Sequence, residues 1–446
     1  KPPWSLAEVK RACSNAAKPT VANELVRMPW GIHLTEREQP KPQDADPGDD
    51  GDEVDLKLKP QVQDTPPQVN VINEVLHALA HVKDERRLFV KGGEIVSVIE
   101  GKIAKHTEAT LQTLITDVVD LYVMKMPTAK EEAGAVPKRI AVHPKPWLAR
   151  AIIQHLTMPG LAKLDGVVSA PILRPDGSVL STAGYDEQTR LFYHAAEEYP
   201  SLPALSVDSA RAARERLEDL FAEMPWQNDK IGKAVALSGI LSLLARATLD
   251  RVPAHAASGN AIGTGKTKVP EIATMIALGQ KETSSWAAED VELRKLITSK
   301  VDTGARYILF DDVPGYQAFT GGAINRLLTA TTWSDRLLGS NDLCSSEGQV
   351  HGLTVFVTGV NLNIKSDVIR RTICAFMNSE HEAPWLRTGF KYPDLDAFVA
   401  DNRKPILVDG LTILAAYFAA GKPKQEVVRL GSFEQWSDLV ASSLVW

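Results

Sequence analysis

Residues Ser258 to Val269 read SGNAIGTGKTKV, and no other stretch limits the fold of this chain so strongly. A loop that cradles phosphates needs inward-turned backbone N–H groups and glycines that keep side chains out of the way. It also needs a following helix whose N-terminus faces the anion. Gly263, Thr264, Gly265, Lys266 and Thr267 supply the end of the usual pattern G-x-x-x-x-G-K-[ST]. The opening glycine is one residue out of place: Asn260 occupies its position and Gly259 stands beside it. In a working loop Lys266 reaches the β- and γ-phosphates and the Thr267 hydroxyl ligates Mg²⁺. VPEIATMIALG then reads as the helix, with Pro270 in its first turns, where proline is tolerated. The competing reading is a glycine-rich surface loop that happens to contain GKT.

Signals further along the chain weigh against that alternative. RYILFDDVPG, Arg306 to Gly315, is a buried-strand pattern running into Asp311-Asp312, as a Walker B strand ends. There one acid holds Mg²⁺ and the next polarises the attacking water. Asp312 stands where glutamate is commoner, which shortens its reach. LTVFVTGVNLN, Leu353 to Asn363, is a second apolar run, tipped by Asn361 in the position of a γ-phosphate or water sensor. SDVIRRT follows, and Arg370 or Arg371 could be supplied to a neighbouring subunit to stabilise charge on the transferring phosphoryl group. Each feature alone has a structural explanation: an acid-rich turn, an Asn in a loop, an arginine pair in a salt bridge. Their order within one domain length is harder to dismiss.

Beyond these generic motifs, the segment resembles the AAA+ ATPase core of phage- and plasmid-encoded primase-helicases, close to the superfamily 3 helicases. The likeness is carried by LRPDGSVLSTAGYDEQTRLFY, VALSGILSLLARATL, GTGKTK, LTATTWSDRLLGS, TGVNLNIKSDVIRRT, DGLTILAAYFAAGKP and GSFEQWSDLVASSLVW. These stretches span most of Val69 to Trp446; residues 1 to 68 show no such likeness. Relatives of this kind commonly carry an irregular opening before GTGK. Asn260 also adopts positive φ more readily than most residues, so the loop is expected to function.

The resemblance implies an α/β fold, an AAA+ (ASCE) P-loop core with a parallel sheet, preceded by a small α+β module and a helical collar. It implies ATP and Mg²⁺ as cofactors, with Gly263 to Thr267 binding nucleotide and Thr267 and Asp311 holding the metal. Asp312, Asn361, Arg370 and Arg371 are then the catalytic candidates. The expected activity is that of a ring-forming, hexameric DNA helicase or translocase for replication of a phage or mobile element. Its partners are single-stranded or forked DNA, further copies of itself, and a primase or replisome component. A protein-remodelling AAA+ ATPase without unwinding activity, or a non-catalytic nucleic-acid-binding assembly protein, are the alternatives. Superfamily 3 motors push DNA with a hairpin before the sensor strand, here GSNDLCSSEGQVHG, Gly339 to Gly352. That stretch holds no lysine or arginine, which leaves His351, and Lys365 nearby, as nucleic-acid candidates. Trp333 in TTWSDRLLG reads as a packing residue, and Arg336 ranks behind Arg370 and Arg371 as a finger.

The remaining sequence sets boundaries. The 446 residues suffice for two or three domains. We expect an N-terminal segment at 1–34, a candidate end of an upstream domain, and a linker at 35–68. An α+β module at 69–200, a collar at 201–252, the ATPase core at 253–380 and a helical region at 381–446 follow. The linker reads as disordered because it lacks aromatics and is rich in Pro, Asp and Gln; a protein-binding acidic tail is the rarer alternative. Its ten acids and four bases account for the net charge of −6, so the rest of the chain is balanced and a local basic channel remains compatible. Cys13, Cys344 and Cys374 are too scattered for a disulfide framework, which points to a reducing compartment; the resemblance implies the cytoplasm of a bacterial host. His77 and His81 have i, i+4 spacing but no third ligand nearby, so they read as ordinary helix histidines. The most apolar stretch, Ala234 to Leu249, is too short for a membrane span and contains Arg246; it reads as a buried helix. The chain opens on Lys1, so upstream material is expected to have been removed, and the absence of a primase metal constellation marks this piece as the helicase part.

Overall fold

The P-loop strand, Ala254–Gly259, lies inside a four-stranded sheet whose pairings are all parallel. In spatial order the sheet runs Tyr307–Phe310, Thr354–Val360, Ala254–Gly259, Thr372–Met377. Strands covered on both faces read as continuous buried runs, and Tyr307–Phe310 and Ala254–Gly259 are buried throughout. A single parallel bridge from Ser284 to Phe310 extends the sheet past its acid-tipped edge. The computed structural model describes residues 59–64, 68–82, 87–126, 136–154, 160–195, 197–336, 343–345 and 352–446.

Parallel strands need crossovers, and helices provide them. The P-loop helix, Lys268–Leu278, and a second helix, Asp290–Asp302, connect the P-loop strand to the acid strand Tyr307–Phe310. Helix Gly322–Thr329 and a hairpin lead on to Thr354–Val360, which inserts between the two earlier strands. The C-terminal ends of the P-loop strand, the acid strand and this inserted strand therefore lie side by side. In an open parallel sheet that edge is where ligands bind.

Helices pack around the sheet in one continuous core. Val207–Asp219 starts at Ser206, whose hydroxyl accepts from the Ser209 N–H in a capping box. Asp229–Leu244 starts at Asn228 and Arg403–Ala419 follows the sheet in sequence. Gly410 brings the last two together, since a Cβ there would lie 2.6 Å from Leu244 Cδ1. Arg216 grips Asp409 through two hydrogen bonds of 2.9 and 2.5 Å. Phe221, Leu241, Phe356, Leu411 and Trp436 share the same buried cluster. Residues from the 201–252, 253–380 and 381–446 stretches thus contribute to one buried cluster, with helices from both flanks packed on the sheet. The apolar helix is shifted, ending at Leu244, because Arg246 turns inward to donate to the carbonyls of Leu353, at 3.2 Å, and Leu249. No described helix is long and apolar enough to cross a membrane.

The N-terminal part is a set of small sheets and short helices. Its first strand, Gln61–Gln63, pairs in parallel with Asp120–Lys125 and buries Val62, so structure begins inside the stretch read as a 35–68 linker. The signal was weak because only one of its three side chains is apolar. The stretch ATLQTLITDVVDLYVM begins in helix Glu108–Val118 and continues into that partner strand, where Tyr122 and Val123 suit a sheet. Gly92 and Gly93 turn a hairpin between Phe89–Lys91 and Glu94–Ile99 with φ of 59° and 84°. This part docks on the end of helix Asp290–Asp302. Lys91 donates to the carbonyls of Val301 and Asp302, at 3.2 and 3.0 Å, and Lys105 bonds Asp302 at 3.1 Å. The RPDG hairpin reaches the other flank, where a Cβ on Gly177 would strike the Phe418 ring at 2.5 Å.

Candidate nucleotide site

The P-loop leaves its strand at Gly259, turns through Gly263 and Gly265 at φ of 76° and 90°, and enters the helix at Lys268. Both turn glycines occupy the left-handed region that side chains disfavour. Thr264 is buried between them and donates to the Ala261 carbonyl at 3.3 Å. Pro270 is the third helical residue, where no intrahelical N–H is needed. Gly279 closes the helix at φ 69° with its N–H on the Met275 carbonyl, and Arg403 Nε donates to the carbonyls of Met275 and Ile276.

The displaced glycine has a steric explanation. A Cβ on Gly259 would lie 2.4 Å from Thr264 Oγ1, so the loop folds back onto the strand end and needs glycine there. Asn260 does not adopt the positive φ expected for it. Its side chain is instead a clip: Nδ2 donates to Asn378 Oδ1 at 2.8 Å and to the Ser379 carbonyl at 3.0 Å, and Oδ1 accepts from the Ser379 N–H. The residue fastens the loop to the end of the neighbouring edge strand.

Two carboxylates face the loop from the acid strand. Thr267 Oγ1 donates to Asp311 Oδ1 at 2.8 Å, across 44 positions in sequence. With its hydroxyl so engaged, Thr267 makes no side-chain cap for its own helix. Lys266, only 7% exposed, sets Nζ 3.4 Å from Asp312 Oδ1. Asp312 itself projects to solvent with its backbone at φ 51°. A non-glycine residue held at positive φ is strained, and such strain gathers at functional positions.

Thr358 organises this arrangement and was not singled out from sequence. Its hydroxyl donates to Asp311 Oδ1 at 2.5 Å and accepts the Asp312 N–H at 2.9 Å, fixing both acids from the inserted strand. The available signal was a hydroxyl inside the apolar run LTVFVTGV, three residues before its polar tip. Gly359 beside it has no room for a side chain, since a Cβ would sit 2.6 Å from the Val313 carbonyl. Asn361 ends the strand at φ 50°, exposed, with its N–H on the Gly259 carbonyl at 2.9 Å. The sensor candidate is thus tied by its backbone to the strand that carries the P-loop.

No protein-family model matches the chain, and no curated protein matches it. Among solved structures it is similar to an apo form of the C-terminal region of NrS-1, at 10% identity and TM-score 0.33, over 79% of this chain and 68% of that one. It is also similar to an active helicase, SCCmec type IV Cch, at 11% identity and TM-score 0.31, over 80% of this chain and 73% of that one. JCV helicase shares 12% identity at TM-score 0.22, over 54% and 66%. All three likenesses are distant.

The arginine pair divides. Arg371 is buried, with Nη1 donating to the carbonyl and side-chain oxygens of Asn325 at 3.1 and 3.0 Å and Nη2 against Asp367. Arg370 is exposed on the surface and bonds the Asp367 carboxylate, whose pKa is lowered by that hydrogen bond. Lys365 is exposed close by in sequence. Trp333 is fully buried and donates to Thr298 Oγ1 at 3.1 Å, as expected of a packing residue. The hairpin arms are Ser334–Arg336 and Leu343–Ser345, paired antiparallel, so the hairpin begins ahead of the expected Gly339. His351 lies outside the described residues.

Proposed function

We propose that this chain is an ATP-hydrolysing motor of the AAA+ type, acting as a ring-forming DNA helicase or translocase in replication of a phage or mobile element. The observation that carries the reading is the 2.8 Å hydrogen bond between Thr267 and Asp311 beside the Lys266–Asp312 pair. It brings a phosphate-binding lysine, a hydroxyl and two acids to one edge of a parallel sheet.

The residues fit the cofactors the fold implies. Thr267 Oγ1 and Asp311 Oδ1 are hard oxygen donors already side by side, as a small divalent cation such as Mg²⁺ requires. When bound there, Mg²⁺ would neutralise phosphate charge. Gly263, Thr264 and Gly265 present backbone N–H groups to the phosphates, and Lys266 adds a positive charge from a buried stem. Asp312 is exposed, held by Lys266 and Thr358, and suited to orient and deprotonate a water molecule. Asn361 would hold the same water or the terminal phosphate from the adjacent strand. Arg370, exposed at the surface and held by Asp367, would complete the site of a neighbouring copy, which makes the working form a ring, expected to be hexameric.

DNA would be gripped by the hairpin region and Lys365. The stretch Gly339 to Gly352 contains no basic side chain, and this favours a second reading: a AAA+ ATPase that remodels or loads proteins without unwinding DNA. ATP turnover with and without single-stranded DNA separates the two. DNA-stimulated turnover that Lys266→Ala abolishes supports the motor. Turnover indifferent to DNA supports remodelling, and no turnover in the wild-type chain rejects both.

A further inference from the structure

The phosphate cradle has an apolar border that its role with phosphate does not use. Trp385 lies against it: a Cβ on Gly263 would fall 2.8 Å from Trp385 Cβ and 3.0 Å from its backbone nitrogen. Met224 borders the loop at Gly265, where a Cβ would lie 3.0 Å from its sulfur. Despite this contact the Trp385 residue is 60% exposed, and Ile262 in the loop and Leu386 beside it are 71% and 70% exposed. Large apolar side chains gathered in the open at one place mark a binding surface.

The Trp385 turn is rigidly held. Pro384 is buried, and Leu386 and Arg387 close the turn with N–H bonds to the carbonyls of Ala383 and Pro384. Arg387 Nη2 donates to the Glu223 carbonyl at 3.2 Å, and the Lys391 N–H donates to Glu223 Oε2 at 2.7 Å. Lys391 Nζ and the Tyr392 hydroxyl both reach Asp219 Oδ2, at 2.5 and 2.6 Å. The residue before Met224 therefore anchors the same segment that carries Trp385. One network positions both apolar groups at the loop.

We propose that Trp385 is the stacking platform for the base of the bound nucleoside triphosphate, with Met224 as an adaptable apolar contact. The proposal rests on reading the loop as a phosphate cradle. The occupant follows from that cradle: a nucleotide anchored by its phosphates carries a flat aromatic base beyond its ribose, at the border of the cradle. An exposed indole on a fixed turn offers it a face without reorganisation. Met224 supplies a polarizable sulfur that suits an aromatic edge. Stacking reads the face of the base, so the platform accepts any purine nucleotide and excludes simple polyphosphates from its benefit.

The test is calorimetric titration of the full chain, in the presence of Mg²⁺, with ATP and with inorganic tripolyphosphate. Trp385→Ala is expected to weaken ATP about tenfold and tripolyphosphate by less than about twofold, and Trp385→Phe to recover most of the loss. Lys266→Ala is expected to weaken both ligands. Equal weakening of both by Trp385→Ala, or unchanged ATP affinity while tripolyphosphate still binds, overturns the platform and leaves the cradle standing. Failure of the wild-type chain to bind either ligand overturns both. Sedimentation at the same concentrations covers the remaining occupant: unchanged ATP affinity with lost self-association would assign the face to a second copy and overturn the proposal.

Discussion

Gly259 and Thr264 are in such close register that a Cβ on the first would lie 2.4 Å from the hydroxyl of the second. Thr264 is buried and its short side chain has nowhere to retreat. Gly259→Ala is therefore expected to displace the loop at a cost of about 1–3 kcal/mol, the range for overpacking a tight site. ATP affinity should fall about tenfold or more. Adding Thr264→Ala should restore part of it, because the obstructing oxygen is gone. Asn260→Gly should behave differently: the side-chain clip to Asn378 and Ser379 is lost, but no clash is created. Thermal melts and ATP titrations of the three variants check this; a Gly259→Ala protein that binds like wild type would refute the steric account.

Asp311 and Asp312 are adjacent but do different things. Asp311 accepts from Thr267 and Thr358, whereas Asp312 is exposed and paired with Lys266. Asp311→Asn should weaken Mg²⁺-dependent ATP binding. Asp312→Asn should leave that binding within about threefold yet slow turnover about 10²–10⁴-fold, the usual contribution of a general base. Asn also tolerates the positive φ at this position, so the substitution tests chemistry with little added backbone strain. Equilibrium binding and single-turnover hydrolysis separate the two roles. Equal effects of both variants on binding would reject the division.

Much of this site was legible because its parts are strand ends. Apolar runs that stop on Asp311 and on Asn361 declare both a buried strand and the edge where it opens, and Gly-Lys-Thr declares the helix start. What was not legible depends on contacts between distant positions. Thr358 matters only because the inserted strand brings it beside Asp311, 47 positions away. Trp385 borders the P-loop through a turn fastened to Asp219 and Glu223, which no spacing along the chain reveals. Asn260 was expected to serve by backbone conformation and serves by side-chain hydrogen bonds. Strand Gln61–Gln63 escaped notice because register with Asp120–Lys125, not its own composition, makes it a strand.

Arg370 and Arg371 should separate structure from catalysis. Arg371→Ala removes the donor to the Asn325 side-chain oxygen and the ion pair with Asp367 and opens a buried position, so a loss of about 1–3 kcal/mol of stability is expected, with turnover reduced alongside. Arg370→Ala should leave the melting temperature unchanged and abolish turnover. Mixing it with Lys266→Ala should recover activity, since some sites would then combine an intact loop with an intact neighbouring arginine. If the Arg370→Ala protein hydrolyses ATP normally, that residue does not act across an interface.

Asp165 should give the chain a stability contribution that changes between about pH 4 and pH 6. Burial raises its pKa to about 6, against the opposing pull of Arg190, Arg306, Lys91 and Lys163. Burial also lowers the facing Arg306 guanidinium to about 10. Between the carboxyl's unfolded value, near 3.9, and about 6 the folded chain binds more protons than the unfolded one. The Asp165 contribution is therefore most favourable below that window and is lost as pH rises through it, by about 3 kcal/mol in all. Other carboxylates, such as Asp396 with its lowered pKa, change in the opposite direction, so the total curve hides this term. The difference between wild type and Asp165→Asn isolates it. Chemical denaturation at pH 4.5 and pH 6.5 should show wild type losing stability relative to the variant as pH rises. A difference that stays constant across the two conditions would mean Asp165 is ionised throughout, held by its basic neighbours on the face where the N-terminal strands meet the acid strand.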